Sequence, residues 1–134
     1  TGQENLWLGG GFLGLSRVTL AMGMEELHAL ADIPVAMLAQ PVKYYSTGMS
    51  ARLALALSLL QMRECDILLW DEVFLSVDVS FTRKCCALLQ TAAQQGRILL
   101  VVTHDAEVLS CCSQHIRLHK GRLVESRRIE RSMI

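Results

Sequence analysis

Two carboxylates, Asp71-Glu72, stand directly after the apolar run Ile67-Leu68-Leu69-Trp70. A run of that length reads as a buried strand, and α/β sheets place their ligands beyond the carboxyl ends of their strands. A carboxylate there can hold Mg²⁺ through water, because Mg²⁺ keeps much of its hydration shell; Asp71 is the candidate. Glu72, one residue on, points elsewhere and can orient and deprotonate a water, a contribution typically of about 10²–10⁴ in rate. A strand ending in solvated acids would look the same. Upstream, Ser46-Thr47-Gly48-Met49 opens an apolar helical stretch. A hydroxyl, the amides of a helix start and a glycine that admits close approach make an anion site, and they also make an ordinary N-cap. His104 follows the aliphatic run 98–102, where it can donate to a phosphate oxygen or simply stand in solvent at a turn.

These groups need a scaffold. Ser16 reads as the N-cap of a helix to Ala31, with Met22, Met24, Leu27 and Leu30 as its buried positions and Gly23 weakening it. Pro34 and Pro41 rule out one continuous helix beyond it. Met49–Met62 is apolar on nearly all sides, so a deeply buried helix is expected. Asp66–Asp71 has strand length. Val79–Gln95 reads as a helix capped by Asp78 or Ser80 and closed by Gly96. Ile98–Val102 is continuous aliphatic, the pattern of a strand buried on both faces of a parallel sheet. Ala106–Cys111 reads as a short helix, and His115–His119 with Arg122–Glu125 flank a tight turn at Lys120-Gly121. Alternating helix and strand is the order of a wound α/β sheet.

The 134 residues carry no net formal charge, and 51% are hydrophobic. Nothing forms a basic stripe, so nucleic acid is not an electrostatically favoured partner. The local excess at Arg117, Lys120, Arg122, Arg127, Arg128 and Arg131 reads as a solvated tail rather than a lipid-headgroup contact. The apolar run Leu53–Leu60 is far short of the roughly 18–20 residues that span a bilayer, and no leader is evident at Thr1. Five cysteines, Cys65, Cys85-Cys86 and Cys111-Cys112, have neither the count nor the spacing of a disulfide framework. They point to a reducing compartment and to buried thiols rather than a metal fork.

Taken together and in order, these motifs resemble the ABC ATPase family over nearly the whole chain. Tyr45-Ser46-Thr47-Gly48-Met49 is similar to the signature loop, with Arg52 at its usual place on the helix. Ile67–Asp71 resembles Walker B, Glu72 the catalytic glutamate, Ser76-Val77-Asp78 the D-loop and His104 the switch histidine. Met49, Glu4-Asn5-Leu6, Gly14-Leu15-Ser16 and Pro41-Val42-Lys43 are similar to the subfamily exporting capsule, O-antigen and teichoic-acid polymers. The resemblance implies the distal part of a P-loop NTPase domain, α/β with a mostly parallel sheet flanked by helices. Residues 1–62 would form the helical signature subdomain, 63–126 the distal α/β lobe and 127–134 a tail. It implies ATP and Mg²⁺ as cofactors, with Asp71 binding magnesium through water and Glu72 and His104 catalytic. Ser46, Thr47, Gly48 and Met49 would touch nucleotide held by a second ATPase subunit in a head-to-tail dimer, with Asp78 at the seam. Transmembrane permease subunits would hold the protein at the cytoplasmic face of the cell membrane.

The chain departs from the family in lacking any G-x-x-x-x-G-K-[ST] loop. Alone it is expected neither to hold ATP tightly nor to hydrolyse it, and to expose apolar surface that further strands would cover. Trp70 is bulkier than the small aliphatic usual before the aspartate. A rival enzyme reading takes Gly9, Gly11 and Gly14 as G-x-G-x-x-G with Asp32 as a ribose-binding acid. Further alternatives are a non-catalytic ABC-like binding module and a DNA-repair ATPase lobe, though the latter would call for heptad arms that are not present.

Overall fold

The computed structural model describes residues 1–129; Arg131 and the remainder of the expected tail lie outside them. The first part is helical: α1 (Gly2–Phe12), α2 (Arg17–Ala31), α3 (Val35–Leu38), a 3₁₀ turn at Val42–Tyr44 and α4 (Thr47–Gln61). Then come β1 (Ile67–Asp71), α5 (Val79–Gln94), β2 (Ile98–Val102), α6 (Ala106–Cys111), β3 (Gln114–His119) and β4 (Arg122–Arg128). β4 thus runs two residues into the segment read as tail.

Side-chain caps decide where the helices begin. Thr1 and Glu4 form a reciprocal capping box on α1. The hydroxyl of Ser16 accepts from the Thr19 amide, that of Ser46 from Met49, and the carboxylate of Asp78 from Phe81. Each satisfies one of the amides a helix start leaves without an intrahelical acceptor. Of the two caps considered for α5, Asp78 is the one used.

Two apolar cores result. Leu6, Leu20, Leu27, Leu53, Leu57 and Leu60 are central to the helical one, where α1, α2 and α4 meet. Glycines let the helices close up: a Cβ at Gly23 would lie 2.7 Å from Leu60 Cδ1. That is why Gly23 sits mid-helix despite its cost of about 1 kcal/mol relative to alanine. The second core packs Leu55 and Leu59 of α4, Leu68 and Trp70 of β1, and Phe81, Cys85 and Leu89 of α5. Burial pushes the Cys85 thiol up to about 12. Trp70, 5% exposed, fits because its indole N–H donates to Ser58 Oγ at 2.7 Å and its ring meets Phe74 edge-on at 5.5 Å. The bulk that looked anomalous before Asp71 is what fastens β1 to α4.

Three expectations are corrected. Met22 is 82% exposed; Leu20, Gly23, Leu27 and Ala31 form the buried stripe of α2, and Met22 falls off it. β2 is not buried on both faces: Ile98, Leu100 and Val102 are exposed, while Leu99 and Val101 pack on the core. The reason is that helices cover only one side of the β1–β2 pair. Nor do the strands make one wound sheet: β1 and β2 pair in parallel, and β3 and β4 form a separate antiparallel hairpin. The hairpin turn itself is as read, with Lys120 and Gly121 both at positive φ, as a two-residue hairpin turn requires.

Candidate functional site

β1 and β2 run side by side in register, ending with Asp71 opposite Val102. The Glu72 amide extends the ladder by one bond, donating to the Val102 carbonyl at 2.9 Å. The chain then turns abruptly, with Glu72 at φ 51°. For a residue with a Cβ this left-handed conformation costs about 1–2 kcal/mol. It swings the glutamate out of the strand, so that the two adjacent acids diverge. Asp71 stays on the strand face, exposed. The Glu72 carboxylate sits 3.3 Å from His104 Nε2, with its side chain 27% exposed against 94% for His104. The loop after β2 is braced next to it: the Asp105 amide donates to Thr103 Oγ1 at 3.0 Å, and the Asp105 carboxylate caps α6. Two sequence-distant residues are thereby brought together at the carboxyl end of the parallel pair, one a hydrogen-bond acceptor, the other a side chain that can donate outward.

The second cluster lies at the start of α4. Ser46 Oγ accepts from the Met49 amide at 3.1 Å, so the hydroxyl serves as the N-cap. The amides of Thr47 and Gly48 have no intrahelical acceptor at such a start and remain available to an anion. Gly48 faces the turn after β1: a Cβ there would come within 3.2 Å of the Ser76 carbonyl oxygen. The signature-like loop and the Ser76-Val77-Asp78 turn therefore pack on each other within one chain. Arg52, one turn on, has Nη1 at 3.8 Å from both Asp32 Oδ2 and Asp78 Oδ2. Asp78 accepts from the Phe81 amide at 3.0 Å. That bond, with the Arg52 charge adding, holds its carboxyl below the usual carboxylate range.

The Arg52–Asp32 approach was not foreseen. Asp32 ends α2 at φ 52°, a conformation aspartate tolerates better than most residues; the sequence had marked it only as the acid of the dinucleotide reading, just past a helical run. The dinucleotide reading is overturned: Gly9 and Gly11 lie inside α1 rather than at a strand–helix turn, and Gly14 merely follows the helix.

Among the described residues no three His, Cys, Asp or Glu side chains gather as a metal cage. A single exposed carboxylate at a strand end, as at Asp71, suits Mg²⁺, which binds through one or two carboxylates and completes its shell with water and phosphate. The residues present therefore fit a magnesium–nucleotide complex on its acid side, whereas the phosphate-gripping loop is not in this sequence.

No family model matches the chain. It is 32% identical to an O-antigen export system ATP-binding protein, RfbB of Klebsiella pneumoniae, over 98% of this chain and 52% of that protein. It is 35% identical to a teichoic acids export ATP-binding protein, TagH of Bacillus anthracis, over 93% of this chain and 22% of that one. The chain thus spans about half, or less, of the length of these curated relatives. Among solved structures, the dimeric post-hydrolysis ATP-binding cassette MJ0796 bound to ADP and phosphate superposes with a TM-score of 0.78 at 23% identity, over 98% of this chain and 58% of that one.

Proposed function

We propose, from the premise that this chain belongs to the ABC ATP-binding subunits and has the fold of the distal part of their P-loop ATPase domain, that it carries the acid–base and signature elements of an ATPase driving export of a cell-surface polysaccharide or polyol-phosphate polymer. The observation that carries this reading is the Glu72–His104 approach of 3.3 Å beside Asp71 at the end of a parallel strand pair.

Glu72, fixed by its ladder bond to Val102 and by its left-handed turn, accepts the proton of an attacking water. His104, almost wholly exposed and oriented by Glu72, donates to the terminal phosphoryl oxygens as charge builds there. Asp71 would hold magnesium, which when bound would neutralise charge on the phosphates. Ser46, Thr47, Gly48 and Met49 present a helix start to the nucleotide of a second ATPase subunit, with Asp78 at the seam. Residues 1–62 act as the signature subdomain and 63–126 as the catalytic lobe. Among the described residues no helix is long and apolar enough to cross a membrane. In this reading permease subunits would hold the protein at the cytoplasmic face of the membrane.

Phosphate release from MgATP, measured after joining this chain to a segment bearing a G-x-x-x-x-G-K-[ST] loop, tests the proposal. Turnover above that of the segment alone is expected. ATP retained without turnover would favour a non-catalytic binding module.

A further inference from the structure

α6 packs along α5, and two thiols meet in the seam between them. Arg83, Cys86 and Gln90 recur at helical spacing on one face of α5, and Glu107 and Cys111 do so on α6. Arg83 Nε donates to Glu107 Oε1 at 2.6 Å, and Gln90 Nε2 donates to the Cys111 carbonyl at 3.5 Å. Between these two positions on α5, the Cys86 thiol is hydrogen-bonded to that of Cys111. Cys112 Sγ donates to its own helix, at the Val108 carbonyl 3.3 Å away, and Cys85 is fully buried in the core. Among the described residues no three ligating side chains gather to hold a metal, so the pair is not part of a metal cage. The two thiols differ in access. Cys86 is 7% exposed, and burial pushes it up, opposed in part by its bond to Cys111. Cys111 is only partly buried, at the last turn of α6.

We propose that Cys86 and Cys111 form a reversible redox site, oxidised by a hydroperoxide to a disulfide that staples α6 to α5. Hydrogen peroxide reaches the more accessible Cys111 first. Its sulfur takes one peroxide oxygen, the O–O bond breaks and a water leaves, giving a sulfenic acid. The Cys86 sulfur then attacks the Cys111 sulfur; the S–O bond breaks, the Cys86 proton goes to the departing hydroxide, and a second water leaves. The two thiols thus supply the two electrons that reduce one peroxide to two waters, and a dithiol reductant reverses the step. The packing favours this pair, because sulfurs already in hydrogen-bond contact need only a small approach of the two helices to reach the S–S length of about 2.0 Å. α6 is capped by Asp105, directly after His104, and its first turn is tied to α5 through Glu107 and Arg83. A staple at its last turn therefore pins both ends of the helix on which the His104 loop finishes. The inference stands on the thiol geometry and not on the catalytic reading above.

The test treats the full 134-residue chain with hydrogen peroxide under native conditions, blocks the remaining thiols with iodoacetamide and maps disulfides by peptide mass spectrometry. A Cys86–Cys111 cross-link, about 2 Da lighter than the two thiol peptides together and reversed by dithiothreitol, is expected. The peroxide-treated chain should unfold at a urea midpoint about 1–2 M above that of the same sample after dithiothreitol. Cys86→Ser and Cys111→Ser should each lose the cross-link and the midpoint shift, and without Cys86 the Cys111 sulfur should run on to the sulfinic acid. Cys112→Ser should keep both. The mapping is made on the parent chain, so it decides the pairing even where a variant fails the circular dichroism check of folding. Pairing of Cys111 with Cys112 or Cys85, a disulfide between two chains at Cys86 or Cys111, or survival of both thiols would overturn the proposal. So would an oxidised chain no more stable than its reduced counterpart.

Discussion

Alanine at Gly10 and alanine at Gly11 should move stability in opposite directions. Both residues lie in α1, where each glycine costs about 1 kcal/mol relative to alanine in a helix interior. Gly11 has nothing within 4 Å of a prospective Cβ, so Gly11→Ala should recover about 0.5–1 kcal/mol. At Gly10 the new carbon would lie 2.6 Å from Leu20 Cδ1 and 2.9 Å from Leu20 Cγ. Leu20 is only 1% exposed, so its side chain has nowhere open to swing. Forcing a methyl into such a site costs about 1–3 kcal/mol, which outweighs the propensity gain. The gap between the two variants should therefore be about 1–3 kcal/mol. The adjacent positions carry the same chemical change, so effects on the unfolded chain largely cancel. Urea unfolding followed by far-UV circular dichroism is the assay. With a slope of about 1–3 kcal/mol/M, the midpoints should separate by about 1 M, Gly10→Ala below the parent and Gly11→Ala above it. A Gly10→Ala protein as stable as Gly11→Ala would refute the claim that α1 and α2 touch through this glycine, and with it the packing that supports α4 and its signature-like loop.

Ser58→Ala should leave the buried Trp70 indole N–H without its 2.7 Å acceptor, at a cost of about 1–3 kcal/mol in the same urea assay; no shift would mean the bond does not tie β1 to α4. The Phe81 amide holds the Asp78 carboxyl below the usual carboxylate range in the folded chain, so its contribution is present above the unfolded value and lost as pH falls through the lower, folded one. Asp78→Asn can still cap α5, so its melting temperature should fall less steeply than the parent's on acidification below about pH 4; parallel acid limbs would contradict the assignment. Cys85, whose thiol is pushed up to about 12 by burial, should resist iodoacetamide at pH 8–9 in the native chain and react in urea; fast native labelling would place it outside the core.

Local signals made much of this fold legible. Ser16, Ser46 and Asp78 each precede an apolar periodic run and each caps its helix, and Gly96 and Lys120-Gly121 close their elements as read. What could not be read depends on distant partners. The aliphatic run 98–102 has the composition of a strand covered twice, but composition records what a strand is suited to, not what lies over it in this chain. The glycines of α1 look like helix breakers until Leu20 and Leu57 are found against them. At the site, the adjacency of Asp71 and Glu72 was plain, yet the left-handed turn that separates them and hands Glu72 to His104 leaves no trace in residue type. Ser46 was legible both as cap and as anion contact, and its hydroxyl is engaged as the cap.

The most direct test of the central claim is the MgATP turnover of Glu72→Gln in the assembled domain. The substitution keeps size and hydrogen-bonding reach but removes the base. Hydrolysis should fall by about 10²–10⁴ while ATP stays bound and the head-to-tail pair stays closed. Turnover within a few-fold of the parent would show that Glu72 does not activate the attacking water.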